Sequence, residues 1–414
     1  MNSFNPSSRP FTRRGFLGLT SSAAAIALGS RATDARILHV RTSASLSRAY
    51  AFLYEMMDRY FRGSTLRLIQ SYVSTHALQL GDIGYTYDNA LVAIALLQRG
   101  VAADLQRATV LGDSLLYAQA HDPANDGRVR DGYHVDPFLK PDGSINIAYS
   151  DGDGGSDCGN LAWTGLALAH LYAATKHTPY LNAALMLGTW IQNNAYDTRG
   201  AGGYTGGLMQ NQSHIRYKST EHNIDLFAFF TMLAGFTGDS SWTARAAHAW
   251  TFVDAMWNGS HSFFWVGTLD DGMTINKSFI PEDVQSWSYL AAENSAYAPS
   301  LDWAYANLYV NAKPFIGVSF SKSDLSGVWF EGTAHMAAAF FARNGSGDAQ
   351  KAAAFLSSIA LAQTRAPNHD GEGIVAASKD GLRTGDGDKY FAALHIGATS
   401  WYCLAAQSAN PLRL

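Results

Sequence analysis

Apolar residues recur along this chain at helical spacing in one segment after another, and strand-like alternation is scarce. The pattern predicts twelve helices. They run over Ser43–Arg62, Tyr87–Arg99, Ala102–Ala120, Asp157–Thr175, Thr178–Ala195 and Thr220–Phe236. The series continues over Ser241–Trp257, Asp283–Ala296, Ser300–Asn311, Glu331–Arg343, Gly347–Ala362 and Phe391–Gln407. Gly100, Pro179, Gly238, Pro299 and Gly345 mark the junctions, as helix-breaking residues should.

The even-numbered segments differ in kind from the odd. Ala90–Leu97, Leu166–Tyr172, Leu226–Phe230, Met336–Phe341 and Trp401–Ala406 are apolar almost all round, which is the pattern of a buried helix. Trp242–Trp250 and Asp348–Phe355, both odd, keep a polar face for water. The connections alternate too. Links from even to odd are short, such as Arg99 to Val101, whereas those from odd to even are long and rich in Gly, Asp and aromatics. Long connections inside one domain are usually functional. Inner and outer helices by turns, with every long loop at one end, predict an all-α (α/α)6 toroid, a six-hairpin barrel. Its even helices would point their N-termini into one cavity.

That geometry makes the acids at those N-termini informative. Asp88, Asp157, Glu221, Asp283, Glu331 and Asp388 each fall at or near the start of an even helix, about one hairpin apart. Carboxylates also serve there as caps and as partners of the helix dipole, and Asp157, Asp283 and Asp388 are as well explained that way. Three of the acids sit in richer surroundings. Asp88 follows Tyr85 and Tyr87. Glu221 stands four residues before Asp225, a like-charge pair on one helical face that costs stability unless it serves a purpose, with His222 beside it. Glu331 follows Trp329 and Phe330 and precedes Gly332, where backbone can come close to a ligand.

Composition narrows the class. Charged residues are 15% of the chain and aromatic residues 12%, so a large core or a ring-lined cavity is expected. The N-terminus carries Arg9, Arg13 and Arg14 ahead of a short apolar stretch, Phe16–Leu28, which is too short to span a bilayer. The run Thr12–Leu17 looks like a twin-arginine export signal, with residues 1–35 removed and 36–414 forming a single domain in the periplasm or outside the cell. Removing that segment takes out four arginines and one aspartate and moves the formal charge from −4 to −7, which disfavours a nucleic-acid partner. No stable membrane anchor and no cofactor are expected: neither a Gly-rich phosphate loop nor a CxxC pair is present. Asp151–Asp157 and Gly385–Asp388 resemble oxygen-rich calcium loops, but they lack the spacing of an EF-hand and suit ordinary Asp-Gly turns, so no metal is expected. The two cysteines, Cys158 and Cys403, are either a disulfide or two buried hydrophobes.

The alternating helices, together with the Tyr-Asp, Thr-Glu-His-Asn and Trp-Phe-Glu-Gly runs that end in Asp88, Asn223 and Gly332, resemble the six-hairpin glycosidase superfamily. The resemblance covers nearly the whole mature chain and is architectural. It implies a hydrolase of an oligo- or polysaccharide with catalytic carboxylates at inner-helix starts, here Glu221, Glu331 and Asp88. One carboxylic acid would protonate the leaving oxygen and a second carboxylate would act opposite it. Asp225, His222, Tyr85, Tyr87, Asp157, Trp287 and Trp329 would then position the sugar. Two other readings stay open. His214, Arg216, Tyr217 and Lys218 contain the cation and base that a lyase of uronate polymers needs, and His222 with His395 could serve an epimerase. A glycan-binding accessory protein without catalysis is the remaining alternative.

Overall fold

The computed structural model describes residues 43–75 and 78–414; the export segment expected over residues 1–35 lies outside them. Twelve α-helices are present among the described residues: α1 (residues 43–57), α2 (Thr86–Arg99), α3 (Ala102–Ala120), α4 (Cys158–Thr175), α5 (Thr178–Ala195) and α6 (Thr220–Thr237). The second half adds α7 (Ser240–Ala255), α8 (Asp283–Ala292), α9 (Pro299–Leu308), α10 (Phe330–Arg343), α11 (Asp348–Arg365) and α12 (Ile396–Ala406). Each even helix packs on the next, and α12 returns to α2, so the six close a ring. Every odd helix from α3 to α11 lies against the inner helix before it. The first helix is tied to its inner neighbours by Tyr50, whose hydroxyl donates to the Ala95 carbonyl of α2 and accepts from Gln407 just past α12. This is an (α/α)6 toroid.

The all-round apolar sequence of the inner helices explains the ring. From Leu161 to Ala169 every residue of α4 is buried, because the helix touches inner neighbours on two sides and an outer helix on a third. Close approach also matters. A Cβ on Gly165 would stand 2.3 Å from the Phe229 ring of α6, so only glycine allows these two helices their spacing.

A repeated polar device fixes the upper ends of the inner helices. In α2, Asn89 donates its amide to the Tyr85 carbonyl that opens the helix and to the Ile69 carbonyl, while the Ile69 N–H donates back to it. Asn223 repeats the pattern in α6, joining the Ser219 carbonyl to both backbone groups of Tyr204. Gln285 does so in α8 with Pro281 and Phe264. Thr333 and Thr399 are the hydroxyl versions in α10 and α12. Each donates to the carbonyl four residues earlier and accepts from a loop amide, that of Val318 or Ile374. All five side chains are fully buried. Only α4 is held the other way round, with the loop residue Asp131 accepting from the Asp157 N–H and from Asn160.

Several element boundaries differ from the sequence expectation. The long loops are not structureless: they contain short antiparallel pairs, such as Ile83–Tyr85 with Gly132–His134 and Tyr309–Ala312 with Phe315–Val318. These are too brief to register as alternation. The eighth helix stops at Ala292, where Glu293 takes a left-handed conformation and a short 3-10 turn, Ser295–Tyr297, follows. The last helix begins at Ile396, not Phe391, because residues before it run extended into the loop device just described. Asp388 therefore does not open α12; it is exposed in the preceding hairpin turn, and His395 caps the helix instead. Cys158 and Cys403 are both free and buried. None of the described helices is long and apolar enough to cross a membrane.

The device predicts a specific instability. Asn223→Ala leaves the buried N–H and C=O of Tyr204 unpaired, and the expected loss is about 2–3 kcal/mol in urea unfolding. Replacement of the exposed Thr251 by Ala should leave the midpoint unchanged, and equal midpoints for the two variants would refute the proposed role.

Candidate active site

The N-termini of the inner helices open into a funnel. Its narrow end is a pocket of about 270 Å³ lined by Tyr72, Tyr87, Asp88, Trp163, Glu221, Asp283, Trp287, Glu331 and His395 among others. Two wider spaces, of about 620 and 870 Å³, lie above it among the loops. Glu221 and Asp283 border all three, so they stand where the spaces meet. Phe320 and Asp386 separate the two upper arms and line both.

Glu331, in the first turn of α10, is the best-connected acid. The Tyr87 hydroxyl donates to its Oε1 at 2.6 Å and in turn accepts from the Trp401 indole at 3.0 Å. Its Oε2 lies 3.5 Å from His395 Nδ1. The other nitrogen of His395 meets Asp88 Oδ1 at 3.0 Å. An amide from Ala398 points at Nδ1, so in the neutral ring the proton belongs on Nε2, facing Asp88. Tyr72 stacks flat on the imidazole, with centroids 4.1 Å apart. Gly397 makes room for the pair: a Cβ there would fall 2.3 Å from Asp88 Oδ1. Behind Glu331, His335 hydrogen-bonds Glu282 at 3.2 Å, and both are fully buried.

Burial and crowding together keep these acids protonated to unusually high pH. Glu221 is pushed well above the carboxylate range, first by burial and then by Asp283, Asp225 and Glu331. Asp283 rises to about 7 through burial, although the Val284 amide holds it down in part. Glu331 also rises to about 7; burial drives it up and the His395 charge opposes. For His395, burial favours the neutral ring, but Asp88 and Glu331 outweigh it and its pKa is raised. His222 has no such partner, and burial alone lowers it to about 4. The pocket thus contains one carboxyl raised well above the usual range, two raised to near neutrality and an imidazole whose acid neighbours raise its proton affinity.

The remaining sequence candidates divide clearly. Tyr85, His222 and Trp329 line the pocket, and Trp287 forms part of its wall. Asp225 lies one turn below Glu221, fully buried, with neither carboxyl oxygen hydrogen-bonded. Asp157 holds the N-cap position of α4, but its side chain caps no amide and it is not among the pocket-lining residues; its backbone N–H donates to Asp131, and burial beside that second carboxyl lifts its own to about 8. His214 and Arg216 are exposed on a hairpin and line none of these spaces, while Tyr217 borders one upper arm. Lys218 is buried and its ammonium is spent on the carbonyls of Arg199 and Gly202. The lyase constellation is therefore not assembled. Besides Gly159, Asn160 and Trp163 of α4, four lining residues were missed as site residues. Tyr72 and Tyr390 come from extended loop segments with no periodic signal, His335 reads as one polar residue in an apolar helix, and Asp283 reads as a cap.

No family model matches the sequence, and neither does any curated protein. Solved structures do match, at low identity. A D-mannose isomerase superposes with a TM-score of 0.64 at 11% identity, covering 88% of this chain and 96% of that one. A glycosidase in complex with glucose gives 0.62 at 12%, covering 91% and 98%. The cellobiose 2-epimerase of Bacillus thermoamylovorans gives 0.63 at 12%, covering 88% and 98%. This chain shares its toroidal fold with these three structures over nearly its whole described length. At such identity the likeness is one of fold.

The electrostatics yield a titration that can be observed directly. In protein labelled at the glutamate side chains, the Glu331 carboxyl should titrate near pH 7. His395→Asn removes the charge that opposes burial, so the midpoint should move upward. A midpoint near the ordinary glutamate value of about 4.3, or a downward move in the variant, would contradict this account. The sign for stability follows. Carboxyls raised in the fold cost nothing below their unfolded values and become destabilising as pH climbs from about 4.5 to 7.

Proposed function

We propose that this chain is a glycoside hydrolase acting on an oligo- or polysaccharide. The observation that carries this reading is the charge of the pocket: four carboxyl groups line it, and no lysine or arginine does. Hydrolysis of a glycosidic bond passes through an oxocarbenium-like transition state, which develops positive charge. A cavity of carboxyls stabilises that charge as it forms. Glu221, whose proton affinity burial and neighbouring acids raise well above the carboxylate range and which stands where the spaces meet, is assigned as general acid. Glu331, aimed by Tyr87 and His395, is assigned as base or nucleophile. Asp88 is bound to His395 and is assigned a positioning role; His222, Tyr85 and the tryptophans would contact the sugar.

Sugar isomerisation is the second reading, and one observation favours it: His222, whose proton affinity burial lowers, and His395, whose proton affinity its acid neighbours raise, line one pocket as a candidate base and acid. Proton transfer of that kind develops an enediolate, which is negative. Four carboxyls around it oppose that charge, and no guanidinium or ammonium compensates. Hydrolysis is the better match.

The test is a screen of oligo- and polysaccharides for new reducing ends, with solvent deuterium incorporated into free sugars as the parallel readout. Glu221→Gln and Glu331→Gln should each lower kcat on a cleaved substrate by roughly 100-fold or more. Near-normal turnover in both, or deuterium exchange without new reducing ends, would sink the assignment. We further propose that the protein works outside the cytoplasm after twin-arginine export. Arg13→Lys with Arg14→Lys should then hold it in the cytoplasmic fraction, and unchanged export would exclude that route.

A further inference from the structure

We propose that the funnel acts on chain ends: its narrow pocket takes one terminal, uncharged sugar ring, and cleavage at the mouth frees that ring as a monosaccharide. The proposal rests on the hydrolase reading and extends it to substrate class and mode of action.

The first support is shape. Trp163, Trp287 and Trp401 pack on one another across the ring axis, with centroids 5.2 to 5.9 Å apart, and all three are buried. They close the pocket from below, so a chain cannot thread through. A volume of about 270 Å³ equals that of roughly nine liquid waters, which suits one pyranose. Glu221 and Asp283 line the narrow pocket and both wider arms, and so stand at the junction of all three. The bond presented to them is therefore the one between the terminal sugar, held below, and the rest of the substrate, held above.

The second support is the polarity of the pocket wall. Trp287 and Trp329 each carry an indole N–H that is buried and without a hydrogen-bond partner among the described residues, and His222 Nδ1 is likewise unpartnered. All three belong to residues that line this pocket. Unpaired buried donors cost free energy unless a ligand satisfies them. Alternating with them are the acceptors of Asp88, Glu221, Asp283 and Glu331. A sugar hydroxyl both donates and accepts, so a ring bearing several hydroxyls answers both sets at once. A uronate or a sugar phosphate cannot do so, because its charge would face carboxyls with no cation to receive it.

The reaction balances without a co-reactant. Glu221 gives its proton to the leaving glycosidic oxygen as the bond from that oxygen to the anomeric carbon breaks. The anomeric carbon ends bonded to a hydroxyl from water, whose other proton passes to the Glu331 carboxylate. The products are the free monosaccharide and a chain shorter by one ring.

The experiment uses the full chain with short neutral oligosaccharides tagged fluorescently at the reducing end, and with matched substrates ending in a uronic acid. The expected result is a ladder shortened one ring at a time, with free monosaccharide as the only untagged product. Uronate-ended substrates should be cleaved about 100-fold more slowly or worse. Mid-chain fragments at the outset overturn chain-end action while hydrolysis stands, and equal rates on the uronate series overturn the neutral pocket. Should nothing be cleaved, the hydrolase reading fails, and the pocket is then judged by tryptophan fluorescence. Saturable quenching by glucose, mannose, galactose or xylose, with none by glucuronate, retains the neutral single-sugar pocket. Absence of any response to these sugars overturns it as well.

Discussion

Everything at the mouth of this toroid depends on how the ends of the inner helices are tethered. A helix leaves its first amides unpaired, and a ring of six such ends buried among loops would be a ring of unsatisfied donors. Loop carbonyls accept the first amides, Asp131 from Thr86, Val266 from Thr220 and Ala376 from Phe330 among them, while Asn89, Asn223, Gln285, Thr333 and Thr399 each fasten an extended loop strand to the helix's opening carbonyl. The loops so held are the ones that carry the walls of the funnel. The chemistry therefore stands on backbone that is tied down at a regular depth, and the acids of the next turn up inherit that precision. Where α4 departs from the rule, Asp131 holds the Asp157 backbone N–H, and the Asp157 carboxyl does not line the pocket. The exception fits the mechanism: without the internal tether, the helix end answers to the loop.

That rigidity carries a cost in electrostatics. Glu221, Asp225, Asp283 and Glu331 raise one another's affinity for protons, and burial raises all of them. No lysine or arginine lining the pocket relieves the crowding. A sequence selected for stability alone would replace several of these acids by apolar residues, since the surrounding shell of Trp163, Trp287 and Trp401 is already apolar. Their concentration at the one point that reaches solvent is the expected signature of a site where stability yields to function.

The fold was legible because the signal for it is long-range and redundant. Six near-identical alternations of buried and half-buried helix cannot be mistaken for a sheet, and loop lengths told inside from outside. Much of the site was legible for a related reason: Asp88, Glu221 and Glu331 each sit within a turn of an inner-helix start, and the fold brings such positions together. Acids whose roles depend on loop geometry were not legible. Asp388 looked like a helix opener, but the strand that the Thr399 tether needs occupies that stretch and leaves His395 as the cap. Tyr72 stacks on His395 from a loop more than three hundred residues earlier in the chain, a meeting no local pattern encodes. Lys218 looked like a catalytic cation and is in fact a structural donor, because its neighbourhood of bare carbonyls exists only in the folded loop. Trp287 was offered as a sugar platform and forms the wall and part of the floor, in edge contact with Trp163.

Shared architecture leaves the reaction open, since isomerases, epimerases and glycosidases all superpose on this toroid equally well. What separates them must be the sign of the charge that each transition state develops. An enediolate calls for a cation at the sugar oxygens, and an oxocarbenium calls for anions around the anomeric carbon. In this pocket the His395 imidazole is already committed to Asp88 and Glu331, and what remains to meet a substrate is carboxyl oxygen and indole N–H. His395 then acts mainly on Glu331, holding its affinity for protons lower than burial alone would set it. Removing the imidazole would leave Glu331 protonated at neutral pH and unable to accept a proton from water. On the hydrolase reading the histidine is the group that keeps a buried carboxylate usable, and its presence does not by itself argue for proton shuttling on the sugar.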